Sequence, residues 1–496
     1  MDTDEDMQEI IPFSTWFFRI TDETVQHNGV CLQKQRNNSA KNCGISSLKL
    51  ADYFAHVFDN YYICSVFYTV IHMKTYKHRI ADELLTRKLL GKGAVLVQGP
   101  KWCGKTTTAK QVAVSLLDLG DSTQLANALE TLQILPMKLL EGNVPRLIDE
   151  WQTIPEIWDM VRSEVDKRGE MGQFILTGSS VPVEEEKLKH SGNGRYGRIF
   201  MRPMSLWESG ESTGKISISE LFAGKTFDPF EYSMDLETLA FLTCRGGWPQ
   251  STFMKGDVAL DQARDYYDAI YKVDIHRVDK VRRSSERTRL LLRSYARNTG
   301  TATSFSKMSE DIKENDNASI TYETISDYVD ALKKLFVLED MPAWNPNLRS
   351  KTAIQSSETR YFVDPSIATA ALSLGPGDLI NDLKTFGLYF ESMAVRDLRT
   401  YADALNGDLF HYRDSSGLEC DAVMHRRNGD YGLIEIKLGG KDNIEKGAQT
   451  LKNLTEKIDT DKMKAPSFLM VLTGVGQYAY RRPDGVFVVP IGCLKP

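Results

Sequence analysis

The sequence predicts a multidomain α/β protein, and three features carry that reading. At 496 residues the chain has room for roughly three domains of about 150 residues, each able to bury its own core. From 94 to 205 short apolar runs alternate with helical patterns (AVLVQ, TTTAKQVAVSLLDL, RLID, PEIWDMVRSEVDKRG, QFILTG), and that alternation builds a parallel sheet. Beyond 205 the pattern turns helical, and the stretch 385 to 496 opens with a helix and becomes strand-rich (DAVMHR, YGLIEIKL, SFLMVLTG, GVFVVPI).

Composition excludes several classes. With 42% hydrophobic and 26% charged residues and a net charge of −6, the chain is neither disordered nor fibrous, and bulk coating of nucleic acid is disfavoured. Seven cysteines (Cys31, Cys43, Cys64, Cys103, Cys244, Cys420, Cys493) form no CxxC pair, so neither a disulfide framework nor a zinc cluster is expected and a reducing cytoplasm fits. The longest apolar run near a membrane signal, Tyr61 to Ile71, spans 11 residues against the roughly 18 that a bilayer needs. The acidic start MDTDED is unlike a secretory signal. Residues 1 to 72 carry no assignable motif and read as an appendage or translation extension, because a start at Met73 would leave an intact protein.

The first motif follows the first strand. Ile80, Leu84, Leu85 and Leu89 are spaced as a helix leading into a buried strand, Ala94 to Gln98. Next comes Gly99-Pro100-Lys101-Trp102-Cys103-Gly104-Lys105-Thr106, which matches GxxxxGK[ST] between a strand and a helix, and these residues with Thr107 are expected to bind the nucleotide. The glycines let successive backbone N–H groups face a phosphate, and the helix turns its positive end to the same anion. Lys105 is expected on the β and γ phosphates of ATP, and the Thr106 hydroxyl on Mg²⁺. The run RLIDE ends a strand in two acids 44 residues after Lys105. Asp149 is expected in the Mg²⁺ shell, and Glu150 as the base that polarises the attacking water. The strand FILTGSS places Thr177 and Ser179 near the γ-phosphate if the strand order is that of P-loop ATPases.

Farther on, Asp421 and then Glu435-Ile436-Lys437, 14 residues later, have the form D…ExK. Glu435 and Lys437 share a strand face because side chains alternate with period two. Two carboxylates can share a divalent cation while the lysine orients water or stabilises charge on a phosphate. The pattern resembles PD-(D/E)xK nucleases, in which Glu391 on the preceding helix and Gln449 on the following one match accessory positions. On that resemblance Glu391, Asp421 and Glu435 are metal ligands, and Asp421, Glu435 and Lys437 are catalytic. A nuclease fold that has lost catalysis fits the same residues.

Taken together, GPKWCGKTTTA, RLIDEWQ, FILTGSS, GRYGRIFMRPMSLWESGES and CRGGWP closely resemble the prokaryotic AAA-type ATP-binding proteins in which an ATPase core precedes a C-terminal domain of unknown function. The resemblance covers about Met73 to Pro496. It implies a P-loop AAA-type ATPase core over 73–205, a helical lid over 206–275, a helical and winged-helix segment over 276–384, and a restriction-endonuclease-like α/β domain over 385–496. It also implies a subunit-facing edge near Arg195 and Arg198, so Arg198 is the expected cation for the transition state, with Arg245 of the lid as the alternative within one chain. An intersubunit role requires a homo-oligomer.

Ile325, Tyr328, Val329, Leu332, Leu335 and Phe336 form one apolar helix face. The helices SKMSEDI and Thr321 to Phe336, followed by extended segments, resemble a winged helix. Glu323, Asp327 and Asp330 on the second helix favour packing over DNA reading. The basic run HRVDKVRRSSERTRLLLRSYAR is either a phosphate track or a solvated helix face. The reading is an Mg²⁺-dependent ATPase acting on a nuclease-like domain, with DNA or protein as partner and no membrane. The alternative is an ATP-switched binding or scaffolding protein whose C-terminal acids are structural.

Overall fold

The computed structural model describes residues 76–180, 192–279, 281–349 and 353–496. The extension read at 1 to 72 lies outside the described residues, as do Cys31, Cys43 and Cys64.

Helix α1 (Ile80–Gly91) buries Ala81, Leu84, Leu85 and Leu89 at steps of three and four, and its apolar stripe lies on the first sheet. That sheet is made of β1 (Ala94–Gln98), β2 (Ser115–Asp118), β3 (Arg146–Asp149), β4 (Phe174–Gly178) and β5 (Tyr196–Phe200). The strand order is β2-β3-β4-β1-β5, and every pairing is parallel. Alternation along the strands splits the core in two. Val95, Val97, Leu147, Ile175 and Ile199 face α1, while Ala94, Leu96, Ile148, Phe174 and Leu176 face α4 (Ile157–Arg168) with Trp158, Val161 and Val165.

One expectation fails here. The stretch TTTAKQVAVSLLDL is not one helix: α2 covers only Lys105–Lys110, and Ser115–Asp118 is strand β2. Val112 and Val114 are β-branched and disfavour helix. As an edge strand paired only with β3, β2 leaves Leu116 39% exposed, so its residues lack the fully buried pattern of the other strands. Helix α3 (Ser122–Ile134) follows, capped by the Asp121 carboxylate on the Thr123 and Gln124 amides.

Between 206 and 235 lie α5 (Leu206–Ser209), β6 (Ile216–Ser217), α6 (Ile218–Phe222) and β7 (Phe230–Glu231). Helices α7 (Leu236–Arg245), α8 (Gly256–Lys272), α9 (Ser285–Arg297), α10 (Phe305–Asp316) and α11 (Tyr322–Lys334) come next. After α11 two extended stretches meet antiparallel at Leu338–Phe362 and Met341–Thr359. Short helices α12 (Pro365–Ala371) and α13 (Pro376–Asn381) lead to the long α14 (Leu383–Ala404).

The chain closes with β8 (Gly407–Arg413), β9 (Glu419–Arg426), β10 (Tyr431–Lys437), α15 (Lys441–Lys457), β11 (Phe468–Thr473), β12 (Tyr478–Arg481), β13 (Phe487–Pro490) and β14 (Leu494–Lys495). The second sheet runs β7-β12-β13-β11-β10-β9-β8. Strands β8, β9 and β10 form an antiparallel meander, and β11 joins β10 in parallel after α15. The segment 206–235 feeds this sheet, because β7 pairs with β12 and β6 with β14. One apolar core accordingly runs from Leu206 to Leu494.

Candidate functional site

The glycine-rich loop is shaped by contacts behind it. A Cβ at Gly99 would lie 2.1 Å from the Met201 carbonyl oxygen, so only glycine fits. Gly104 takes the left-handed conformation, φ 101°, immediately before α2. Arg79 braces the loop from a buried position: it donates to the Cys103 carbonyl at 2.8 Å, to the Arg202 carbonyl at 2.9 Å and to Glu208 at 3.0 Å. Cys103 is buried, while Trp102 is half exposed and Thr107 exposed. Lys101 pairs with Asp274 at 2.5 Å. The Lys105 ammonium donates to the Gly99 and Pro100 carbonyls at 2.9 and 2.7 Å, so it stands within the loop that it would help to fill.

The strand order sets the acids beside this loop, because β4 lies between β1 and β3. The Thr106 hydroxyl donates to Asp149 Oδ1 at 2.8 Å, and the Thr177 hydroxyl donates to the same oxygen. Burial raises the Asp149 carboxyl above its usual range, while the Thr177 and Thr106 hydroxyls pull it back. Glu150 stands in the left-handed region, φ 54°, and Ser179 donates to its Oε2 at 2.9 Å beside a second bond from the Gln152 amide. A Cβ at Gly178 would meet Gln152 Oε1 at 2.9 Å, so a side chain there would displace the Gln152 amide. Gln152 was missed by sequence reasoning, although RLIDEWQ contains it.

These residues suit Mg²⁺ by their chemistry: a hydroxyl and a buried carboxylate are hard oxygen donors. The arginines stand differently from one another. Arg198 is exposed on the edge strand β5, its guanidinium 5.4 Å from the Trp158 ring centroid. Arg195 pairs with Asp166 at 2.8 Å. Arg245 is buried and held by Glu211 of the same chain at 2.5 Å.

The second cluster joins α14, β9 and β10. Lys437 Nζ lies 2.8 Å from Asp421 Oδ2 and 2.7 Å from Glu435 Oε2, and the Ile436 amide also donates to Asp421 at 2.8 Å. Burial works against the Lys437 charge, yet the two carboxylates lift its pKa above the usual lysine range. Burial, reinforced by the Asp421 charge, raises Glu391 and Glu435 well above the usual carboxylate range. Glu391 also accepts a hydrogen bond of 2.5 Å from the Tyr361 hydroxyl. Tyr361 was missed, because ETRYFVD reads only as an extended segment. Gln449 does not join the cluster: its side chain is exposed and donates to Asn453 at 2.7 Å.

The three residues expected to share a cation, Glu391, Asp421 and Glu435, stand in this one cluster, with the Asp421 charge acting on both glutamates. Among the described residues no three His, Cys, Asp or Glu side chains are placed to hold a metal ion. The Lys437 ammonium lies between Asp421 and Glu435. A cavity of 270 Å³ reaches Glu391 and Asp421, and its other wall is Gly300, Thr301 and Tyr361 from the helical segment.

Several arginines of the basic run after residue 275 are held by acids of the same chain, while Arg277, Arg282 and Arg287 are exposed. Arg283 pairs with Asp279 and Asp327 at 2.6 and 2.7 Å, Arg289 with Glu286 at 2.7 Å, and Arg297 with Asp311 at 2.7 Å. Among the described residues no helix is long and apolar enough to cross a membrane.

Comparison with known proteins agrees with the first site. Residues 91–209 match the family described as AAA domain. Residues 236–378 and 386–494 match two domains of unknown function, DUF8612 and DUF4143. Uncharacterized proteins of Mycobacterium tuberculosis and Mycobacterium bovis are each 22% identical over 382 residues, covering 75% of this chain and 77% of the relative. The Walker-type ATPase paby2304 of Pyrococcus abyssi is similar at 14% identity and a TM-score of 0.36, over 59% of this chain and 94% of its own. A signal-transduction ATPase with a tetratricopeptide repeat sensor, PH0952 of Pyrococcus horikoshii, is similar at 13% identity and a TM-score of 0.23, over 67% and 48%. The loop, the paired acids and the five strands of the first sheet all lie within 91–209, the stretch that matches the AAA domain.

Proposed function

We propose that the protein is an Mg²⁺-dependent ATPase whose nucleotide cycle acts on its C-terminal, nuclease-like domain. The observation that carries the ATPase reading is the convergence of Lys105, Thr106, Asp149, Thr177 and Glu150 at the ends of β1, β3 and β4. Lys105 leaves the loop carbonyls for phosphate oxygens and neutralises their charge. Thr106 and Asp149 would hold Mg²⁺, which supplies charge neutralisation at the β and γ phosphates. Glu150, aimed by Ser179 and Gln152, takes the proton of the attacking water. Titration with a fluorescent ATP analogue in Mg²⁺ tests this: Lys105→Ala is expected to weaken binding by about 10-fold or more, as loss of a charged hydrogen-bond donor implies. Equal affinity would remove Lys105 from the site.

The C-terminal reading is supported by element order, a helix, a three-stranded meander, a helix and a parallel strand (α14, β8 to β10, α15, β11), with the D…ExK residues on β9 and β10. That order suits the restriction-endonuclease-like fold. Helices α9 to α11 and the two-stranded pairing after them suit a winged helix. A specific observation favours the second reading, in which ATP switches a binding protein with a silent nuclease fold: Lys437 neutralises the acids that a cation would need. Calorimetry with Mn²⁺ separates the readings. Heat of binding that disappears in an Asp421→Ala, Glu435→Ala double variant supports the nuclease, and the same heat in both proteins supports the silent fold.

A further inference from the structure

The motif CRGGWP is not used by either site, yet it lies between them. Gly246 has φ 71°, and a Cβ there would stand 2.4 Å from Asp364 Oδ1 and from Ser366 Oγ. A Cβ at Gly247 would stand 2.1 Å from the Met204 carbonyl oxygen. Glycine at both positions therefore lets the turn press against α12 on one side and against the exit from the first sheet on the other. The Met204 amide donates to the Gly247 carbonyl at 2.6 Å, and the Gly247 amide donates to Asp364 Oδ2 at 3.0 Å.

Toward the nucleotide loop, Trp248 packs on Tyr266 with ring centroids 4.3 Å apart, and Tyr266 packs on Trp102 at 5.5 Å. The Pro249 ring is 3.4 Å from where a Gly104 Cβ would be. Trp102 and Gly104 belong to the phosphate-binding loop, so two residues of the turn reach that loop, one directly and one through Tyr266. Toward the C-terminal domain, Trp248 Nε1 donates to Ser366 Oγ at 3.0 Å, and Ser366 Oγ donates to Asp364 at 2.6 Å. Arg396 of α14 donates to the same aspartate at 2.8 Å. Helix α14 also carries Glu391. Trp248, Asp364, Ser366 and Arg396 are all buried, and packed interiors shift between discrete arrangements rather than deforming continuously.

We propose that the Gly246–Pro249 turn is the joint through which nucleotide binding at the phosphate loop is transmitted to α14 and the carboxylate it carries. The proposal rests on the reading that the loop binds nucleotide. Filling the loop moves Trp102 and the ground beside Pro249, the turn shifts with them, and the Asp364–Arg396 pair hands the shift to α14. Trp248 and Ser366 are positioning residues in this scheme, because neither touches nucleotide.

Hydrogen exchange of the full chain, with and without a non-hydrolysable ATP analogue in Mg²⁺, tests the joint. In the wild type the analogue should slow exchange at least about twofold over 99–106 and also alter it over 246–249 and 386–397. Trp248→Phe keeps a ring but loses the bond to Ser366, and Ser366→Ala removes the acceptor with a smaller change. Each variant should keep protection of the loop and lose the response of α14. Loop protection without any α14 response in the wild type, or a full α14 response in both variants, overturns the joint alone. Absence of loop protection in the wild type overturns the nucleotide reading and the joint with it.

Discussion

Replacing Glu150 by glutamine is expected to lower ATP turnover roughly 10²- to 10⁴-fold, the usual range for loss of a positioned general base. ATP affinity should stay within about twofold, because the residue acts on water and not on phosphate. The geometry gives this prediction its sharpness. Glu150 follows the strand that carries Asp149 and stands in the left-handed region of the backbone. Ser179 and Gln152 both donate to one of its oxygens, and glutamine preserves that size without the basicity. Steady-state phosphate release measures the effect.

Arg396→Ala is expected to destabilise the protein by about 3–5 kcal/mol, the cost of breaking a buried pair from one side. Arg396 binds Asp364 at 2.8 Å and Asp397 at 2.7 Å, and its side chain is 2% exposed. Its loss leaves two buried acids without their cation. Burial already raises the Asp397 carboxyl to about 6, with Arg396 holding it down, so removal of the arginine drives that acid further toward its neutral form. The amides of Gly247 and Leu206 still serve the two acids, which keeps the loss within this range. Denaturant unfolding measures it, and Arg195→Ala, which breaks an exposed pair with Asp166, is the control expected to change little.

Much of the first site was legible because its signals are local. The strand Ala94–Gln98, the loop to Thr106, the strand Arg146–Asp149 and the strand Phe174–Gly178 are each fixed by a few adjacent residues. Strand β2 was not legible, because an edge strand half in solvent has no distinctive pattern. The second site was legible as residues and not as an arrangement. Spacing put Glu435 and Lys437 on one face, but only the fold shows the Lys437 ammonium lodged between two acids and the Tyr361 hydroxyl on Glu391. Tyr361 is 30 residues from Glu391, and no periodicity links them. The joining of 206–235 to the last sheet was hidden for the same reason, since β7 and β12 are far apart in sequence.

The proposed role of Glu150 is to complete hydrolysis at a loop that binds ATP through Lys105. Its most direct measurement is the identity of the nucleotide that stays on the protein after incubation with Mg²⁺ and ATP, separated from free nucleotide and analysed by chromatography. ADP is expected on the wild type and intact ATP on Glu150→Gln, with comparable occupancy. ADP on both proteins would contradict it.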